Sequence, residues 1–80
     1  MAGQEIDPED QRKIAKLGER ITSMRKAMGY TSYEQFAVDK NLPRAQYWRY
    51  EKGENAKILS LARLAKAFNI TLEELIKDCF

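Results

Sequence analysis

The sequence contains no histidine and a single cysteine, Cys79. A disulfide bond within the chain would need a second cysteine, and a Cys/His zinc site would need a larger ligand set, so we expect neither. A lone cysteine fits a reducing cytosol and predicts a cytoplasmic protein. We find no nucleophile with a neighbouring base, and the chain is too short for a sizeable pocket. We therefore expect no enzymatic activity, no metal and no cofactor.

Long apolar runs are missing as well. No stretch approaches the ~20 residues that a membrane-spanning helix requires, and the acidic, polar N-terminus does not look like a secretory signal. We expect no membrane partner. The 80 residues are enough for one domain. We place this domain at residues 9–80, after a flexible N-terminal segment at residues 1–8.

The charges are unevenly distributed, although the formal net charge is only +2. The first ten residues carry four acidic side chains and no basic one. Residues 11–53 carry ten basic and four acidic side chains, a net charge of +6. A basic segment of this kind is typical of DNA binding, although a solvated basic face would give the same count.

The first helix is predicted by apolar side chains at steps of three and four in residues 14–28, and we expect it to end at Gly29. Asp7 as N-cap and Pro8 in the first turn predict its start. The part before Leu17 is either an extra turn or two, a separate short helix on the core, or a seam for dimerisation.

Two short helical patterns follow, joined by Asn41, Leu42 and Pro43. The first opens at Ser32 with Gln35 three residues later, which predicts a capping box. Asn41 tolerates the left-handed backbone that such a turn needs. Pro43 suits the first position of the second helix, because its missing N–H is not needed there.

The second short helix, from Pro43 to about Lys52, has two different faces. Tyr47 and Tyr50 share the inward face, and we expect their hydroxyls to reach the surface. The outward side carries Arg44, Ala45, Gln46, Trp48 and Arg49. Arg can bond guanine O6 and N7 in pairs, Gln can do the same with adenine, and apolar side chains can meet a thymine methyl. A surface hairpin of helices with ordinary charges would carry the same local pattern.

A loop at residues 54–57 and two more helical patterns complete the chain. A stripe that begins at Ile58 predicts the next helix, and Leu59 and Ala62 widen it, as expected for a helix buried on more than one side. Thr71 with Glu74 predicts a capping box at the start of the last helix. We expect Cys79, on the apolar face of that helix, to be a core thiol rather than a reactive one.

The segment from Leu17 to about Ile76 resembles the Cro/CI-type (XRE) helix-turn-helix family, which includes the phage repressors. The resemblance covers about three quarters of the chain and rests on the ordered set Leu17-Gly18-Glu19-Arg20-Ile21, Arg25, Met28-Gly29, Glu34-Gln35-Phe36-Ala37, Leu42, Arg44, Arg49, Glu51-Lys52-Gly53 and Leu64-Ala65-Lys66-Ala67-Phe68-Asn69-Ile70. It implies an all-α fold: a five-helix, lambda-repressor-like helix-turn-helix domain with an extended first helix. The helix-turn-helix itself falls at about residues 32–52.

The function that the resemblance implies is sequence-specific binding of double-stranded DNA by a bacterial or phage transcription regulator. Helix 43–52 would enter the major groove, so that Arg44, Ala45, Gln46, Trp48 and Arg49 read bases. The DNA backbone would be contacted by Tyr33, Lys52, Asn55 and Lys57. Arg25 and Glu51 match a salt bridge that joins the first and third helices in this family.

Two aromatic residues depart from the family pattern. Tyr33 stands where the family usually has Gln, and its hydroxyl either bonds a phosphate or the ring simply packs over the first helix. Trp48 occupies an outward position, where it packs either against sugar or thymine methyls or against the N-terminal extension. We favour the DNA contact for Trp48.

Two kinds of partner other than DNA are considered, a second copy of the chain and a different protein. The family often binds as a two-fold dimer, and we place a homodimer interface on the final helix and the loop before it, which Phe80 could join. The alternative function is a protein-interaction module, such as the antitoxin of a toxin–antitoxin pair. A toxin gene beside this one would favour that alternative.

Overall fold

Five α-helices make up the part of the chain that the structure, a computed structural model, describes, which is residues 6–80. They are α1 (Pro8–Ala27), α2 (Tyr33–Asp39), α3 (Arg44–Glu51), α4 (Ile58–Ala67) and α5 (Leu72–Ile76). The predicted all-α class with five helices and a long first helix is confirmed. Most of the segment that we expected to be flexible, residues 1–5, lies outside the described residues, whereas Pro8 already belongs to α1.

The first helix begins as predicted and is continuous. The Asp7 carboxylate accepts a hydrogen bond of 2.8 Å from the Glu9 backbone N–H, which satisfies one of the free donors at the helix start. The helix then continues through Leu17 without a break, so the idea of a separate short helix before it is wrong. It ends at Ala27, two residues before Gly29, which follows in a left-handed conformation with φ of 94°.

The helix α2 starts with only half of the predicted capping box. The Ser32 hydroxyl accepts a 3.2 Å hydrogen bond from the Gln35 backbone N–H. The Gln35 side chain does not reach back to Ser32; its amide donates a 2.8 Å hydrogen bond to Asp39, one turn further on. The prediction of a reciprocal pair was therefore wrong, because a carboxylate four residues along the same helix face offers the stronger acceptor.

The turn between α2 and α3 depends on a left-handed residue. Asn41 has φ of 58°, as predicted, and the following Leu42 donates a backbone hydrogen bond of 2.8 Å to the Ala37 carbonyl, closing the end of α2. Pro43 has ψ of 122°, an extended conformation, and is the N-cap of α3. Arg44 is therefore the first helical residue, one position later than predicted.

The core is centred on aromatic rings. Phe36 of α2 is fully buried and stacks on Phe68 with ring centroids 4.9 Å apart, and its ring also lies 5.2 Å from Tyr47 of α3. Cys79 is buried as predicted. Because the buried aromatic of α2 touches α3 and the end of α4 at once, the two helices of the helix-turn-helix keep a fixed mutual position.

The helix α4 is buried on one side only. Leu64, Ala65 and Phe68 face the core. Leu59 is 67% exposed and Ala62 is also exposed, so the predicted second buried side is wrong. Apolar composition alone does not decide burial; no other helix among residues 6–80 lies over this side of α4.

The first half of α1 packs closely on the end of α3. A Cβ atom added at Gly18 would lie 2.7 Å from the Glu51 carbonyl oxygen, so only glycine allows the two backbones to approach this far. Gly53, with φ of 86°, lies against Ala15, and the Gln11 side chain donates a 3.1 Å hydrogen bond to the Gly53 carbonyl. The extra turns of α1 therefore hold the C-terminal end of α3 in place.

Candidate nucleic-acid interface

The outward side of α3 is open to solvent along its whole length. Tyr47, near the middle of the helix, is 1% exposed and anchors the opposite side in the core. The five residues that the sequence suggested as base readers all fall in exposed positions, with Trp48 at 37%: Arg44, Ala45, Gln46, Trp48 and Arg49. The helix thus presents two guanidinium groups, an amide and an indole on a short, rigid support.

Trp48 is held by two neighbours. Its ring centroid lies 4.4 Å from that of Tyr33, the first residue of α2, with 32° between the ring planes. The Lys52 ammonium lies 4.2 Å from the centroid of the indole. The packing partner of each aromatic residue is therefore the other one, which none of the predicted alternatives named. The contacts with the Tyr33 ring and the Lys52 ammonium restrict the orientation of the indole.

Of the four residues expected to contact the DNA backbone, two are already in contact with Trp48. Asn55 and Lys57 are exposed on the loop between α3 and α4. Tyr33 is half-buried, and its ring lies against Trp48. Lys52 is exposed, and its ammonium lies 4.2 Å from the centroid of the indole. Asn55 and Lys57 thus follow α3 in the chain, and Tyr33 contacts α3 through Trp48.

A buried ion pair joins α3 to α1. The Arg25 Nε donates to Glu51 Oε2 at 2.7 Å, and Nη2 donates to Oε1 at 3.2 Å. Both side chains are less than a tenth exposed, and Arg25 also donates to the Tyr30 carbonyl at 2.9 Å. The hydrogen bond to Glu51 raises the pKa of Arg25 above its usual value, while burial opposes this. The structure thus joins the two residues that the resemblance paired.

The hydroxyl of Tyr47 lies next to this ion pair. It is buried and has no hydrogen-bond partner among residues 6–80, so the expectation that it reaches the surface was wrong. Burial raises the pKa of Tyr47 far above its usual value; the neighbouring Glu51 carboxylate raises it further, and the Arg25 charge partly offsets this. This burial could not be predicted from the sequence, because periodicity indicates which way a ring points but not how deep it lies.

Among residues 6–80, no three histidine, cysteine, aspartate or glutamate side chains are grouped so that they could hold a metal ion. None of the helices over the same range has the length and apolar character that crossing a membrane requires.

Comparison with known proteins gives a family. A family model described as helix-turn-helix matches residues 21–75, which is more than half of the chain and includes α2, α3 and α4. No curated protein and no solved structure matches the chain significantly. The match begins inside α1, so the extension before Leu17 lies outside it. Together with the five-helix fold and the exposed side of α3, it shows that the chain belongs to the Cro/CI-type (XRE) helix-turn-helix family of DNA-binding regulators.

Proposed function

We propose that this regulator recognises a specific sequence in double-stranded DNA by inserting α3 into the major groove. The observation that carries the proposal is the contrast across one helix: Tyr47 is 1% exposed, whereas Arg44, Gln46 and Arg49 are exposed on the other sides. An α-helix fits the major groove of B-form DNA, and side chains at its N-terminal end are the ones that reach base edges.

The five proposed base readers offer three kinds of contact. Arg44 and Arg49 can donate paired hydrogen bonds to guanine O6 and N7, and Gln46 can pair with adenine N6 and N7. Trp48 and the neighbouring Ala45 offer apolar contact to a thymine methyl. The contact with Tyr33 supports this role for Trp48, because an indole already packed against a neighbouring ring, with centroids 4.4 Å apart, loses little further freedom on binding.

The residues at the flanks position the duplex. Lys57 and Asn55 lie on an exposed loop, from which a cation and an amide can reach phosphate oxygens. Tyr33 can donate its hydroxyl to a phosphate while its ring stays on the indole. Lys52 can leave the indole for a phosphate, since an exposed cation–π contact is worth only about 0.5–1 kcal/mol.

The mechanism that we propose is occupancy, as in a repressor. The domain binds without chemical change and excludes other proteins from the same stretch of duplex. The Arg25–Glu51 ion pair and the α1 contact at Gly53 support this, because they hold α3 in one orientation against α1.

Selection of bound duplexes from a random pool, repeated at several salt concentrations, tests the proposal. We expect one enriched motif containing guanine and thymine, with affinity that falls as salt rises because phosphate contacts release counterions. A pool that stays random at every salt concentration would contradict sequence-specific recognition.

A second candidate is a protein-interaction module such as an antitoxin, which keeps the same fold. It is favoured by exposed apolar side chains away from α3, namely Ile58, Leu59 and Phe80, each at least 65% exposed. Co-purification with a second small protein encoded beside this chain would support it. Recovery of the chain alone from its own host would argue against it.

A further inference from the structure

A groove of about 540 Å³ is formed by the first half of α1 together with the end of α3, the loop that follows it and the start of α4. Its lining has an apolar floor, since Leu17 is 6% exposed and Ile21 is 1% exposed. It also has three exposed carboxylates, those of Asp7, Asp10 and Glu54. Among residues 6–80, no basic side chain lines it. We call this cavity the α1 groove.

The α1 groove depends on parts of the chain that the family model does not match. The match begins at residue 21 and ends at residue 75. Half of the described lining residues lie outside that range, namely Ile6, Asp7, Asp10, Ile14, Leu17 and Phe80. The helix-turn-helix pattern therefore does not account for the groove, which requires the extension of α1.

The size of the α1 groove suits a small molecule better than a protein surface. Small-molecule sites in proteins have volumes of about 300–1,000 Å³. A stable protein–protein interface instead takes about 20–30 residues from each partner, whereas twelve of residues 6–80 line this groove. We therefore consider a small organic ligand as its occupant.

The charges of the α1 groove determine the charge of that ligand. Its carboxylates repel anions, which excludes phosphates and fatty acids and separates the groove from the proposed DNA surface. Asp7 already caps α1 through the Glu9 N–H, at 2.8 Å. Asp10 lies 3.9 Å from the Lys13 ammonium, and an ion pair at such a distance near solvent is weak, so Asp10 can exchange Lys13 for another cation. Glu54 supplies a second carboxylate from the opposite side of the groove's lining, in the loop after α3.

We propose that the α1 groove is a binding site for a small organic cation with an apolar body, such as an arylalkylammonium. The apolar body packs on Leu17 and Ile21, while the ammonium group stays near solvent with Asp10 and Glu54. Burial of the body supplies most of the affinity, and the carboxylates select a cation over a neutral or anionic molecule. The proposal does not depend on DNA sequence recognition, because the exposed side of α3 takes no part in it.

Three probes with the same apolar body and different charges test the proposal. Phenethylamine, phenethyl alcohol and phenylpropionate each carry a phenyl ring on a two-carbon chain, and they are titrated into the isotope-labelled full chain while backbone amide chemical shifts are recorded. We expect phenethylamine to shift amides of the residues that line the α1 groove, with a dissociation constant about fivefold or more below that of the alcohol. Phenylpropionate should not bind. Equal affinities for the amine and the alcohol, or shifts centred elsewhere, would overturn the proposal.

Neutralising two carboxylates tests where the cation binds. The groove variant carries Asp10→Asn and Glu54→Gln. The matched control carries Glu9→Gln and Glu73→Gln, which remove the same charge from exposed first-turn positions of α1 and α5 that do not line the groove. The groove variant should bind the amine no more tightly than the alcohol, whereas the control should keep the wild-type preference.

The alcohol serves as the internal check on folding. Its affinity should be the same in the groove variant and the wild type, because the apolar floor is unchanged. An equal loss of amine preference in both variants would mean that the general charge of the chain attracts the amine, and it would overturn the proposal. If the groove variant does not fold, the three-probe comparison on the wild type decides.

A second copy of the chain is the other occupant that the experiment can detect. Amide shifts of the groove residues should stay constant when the protein is diluted before any probe is added. Shifts that change on dilution at these residues would show that a second copy fills the α1 groove, and they would overturn its assignment as a small-molecule site.

Discussion

Arg25 of α1 and Glu51, the last residue of α3, are joined by two hydrogen bonds of 2.7 and 3.2 Å, with both side chains buried. The pair connects the scaffold helix to the far end of the helix that carries the exposed Arg44. A carboxylate and a guanidinium that face each other in parallel fix distance and angle together. The orientation of α3 is therefore set by a directional contact and not only by apolar packing.

Breaking this pair should destabilise the fold strongly. We expect Glu51→Gln or Arg25→Gln to lower the free energy of unfolding by about 3–5 kcal/mol, because the remaining charge stays buried without its partner. Lys26→Gln, one position away and exposed, should change it by less than about 0.5 kcal/mol. Urea unfolding followed by circular dichroism measures both. A loss for Arg25→Gln no larger than that for Lys26→Gln would mean that the pair adds nothing to stability.

Removing the hydroxyl of Tyr47 should instead increase the stability of the fold. Its buried hydroxyl has no partner among residues 6–80, so Tyr47→Phe should raise the free energy of unfolding by about 1 kcal/mol at neutral pH. Tyr50→Phe serves as the control on the same helix. A clear loss of stability in Tyr47→Phe would show that the hydroxyl makes a hydrogen bond in solution.

The raised pKa of Tyr47 also predicts an alkaline effect. The unfolded chain releases this proton near pH 10, whereas the folded chain keeps it, so the contribution is constant below about pH 10 and falls above it. Stability of the wild type should decline above that pH more steeply than stability of Tyr47→Phe. Parallel declines of the two proteins in urea titrations between pH 9 and about pH 11 would contradict the assigned burial.

Gly18 should not tolerate a methyl group. Alanine is normally better than glycine inside a helix, but its Cβ here would lie 2.7 Å from the Glu51 carbonyl and 2.9 Å from the Tyr50 carbonyl. We expect Gly18→Ala to cost about 1–3 kcal/mol and to weaken DNA binding, since α3 must move. Ser23→Ala, at an exposed position of α1, is the control. Equal melting temperatures for the two variants would rule out the close approach.

Local signals accounted for most of the fold. The N-cap at Asp7, the left-handed Asn41 and the complete capping box of Thr71 with Glu74 are all present, because each depends on neighbours in the chain. The exposure of Leu59 could not be predicted in the same way. Periodicity identifies an apolar face, but only the packed structure shows whether another helix covers it.

In the candidate site, too, some features follow from local spacing and others arise only from packing. The exposed side of α3 followed from the three-residue spacing of Tyr47 and Tyr50. The ring contact of Tyr33 with Trp48 and the close approach at Gly18 join segments that are separate in sequence, so no local rule indicates them. A groove of about 540 Å³ is likewise lined by residues far apart in sequence, Asp10 and Phe80, so no local rule indicates it either.

Trp48 should be responsible for a preference for thymine at one position of the selected site. Replacing that thymine by uracil removes only the C5 methyl group, so it should weaken binding of the wild type by about 1 kcal/mol and have no effect on Trp48→Ala. Tyr33→Ala should reduce the wild-type discrimination, because the indole loses its support. Fluorescence anisotropy of labelled duplexes measures each affinity. Equal sensitivity to uracil in the wild type and Trp48→Ala would remove Trp48 from the base-reading set.

Arg44 and Lys57 should separate base reading from backbone contact. Arg44→Ala or Arg49→Ala should cost about 1–3 kcal/mol on the selected duplex and relax the preference at one base position, because a paired hydrogen bond to guanine is lost. Lys57→Ala should weaken binding to selected and random duplexes alike, and it should reduce the slope of affinity against salt by about one ion. Anisotropy titrations of both duplexes at several salt concentrations distinguish the two effects. If Arg44→Ala kept both affinity and base preference, α3 would not be the helix that reads the sequence.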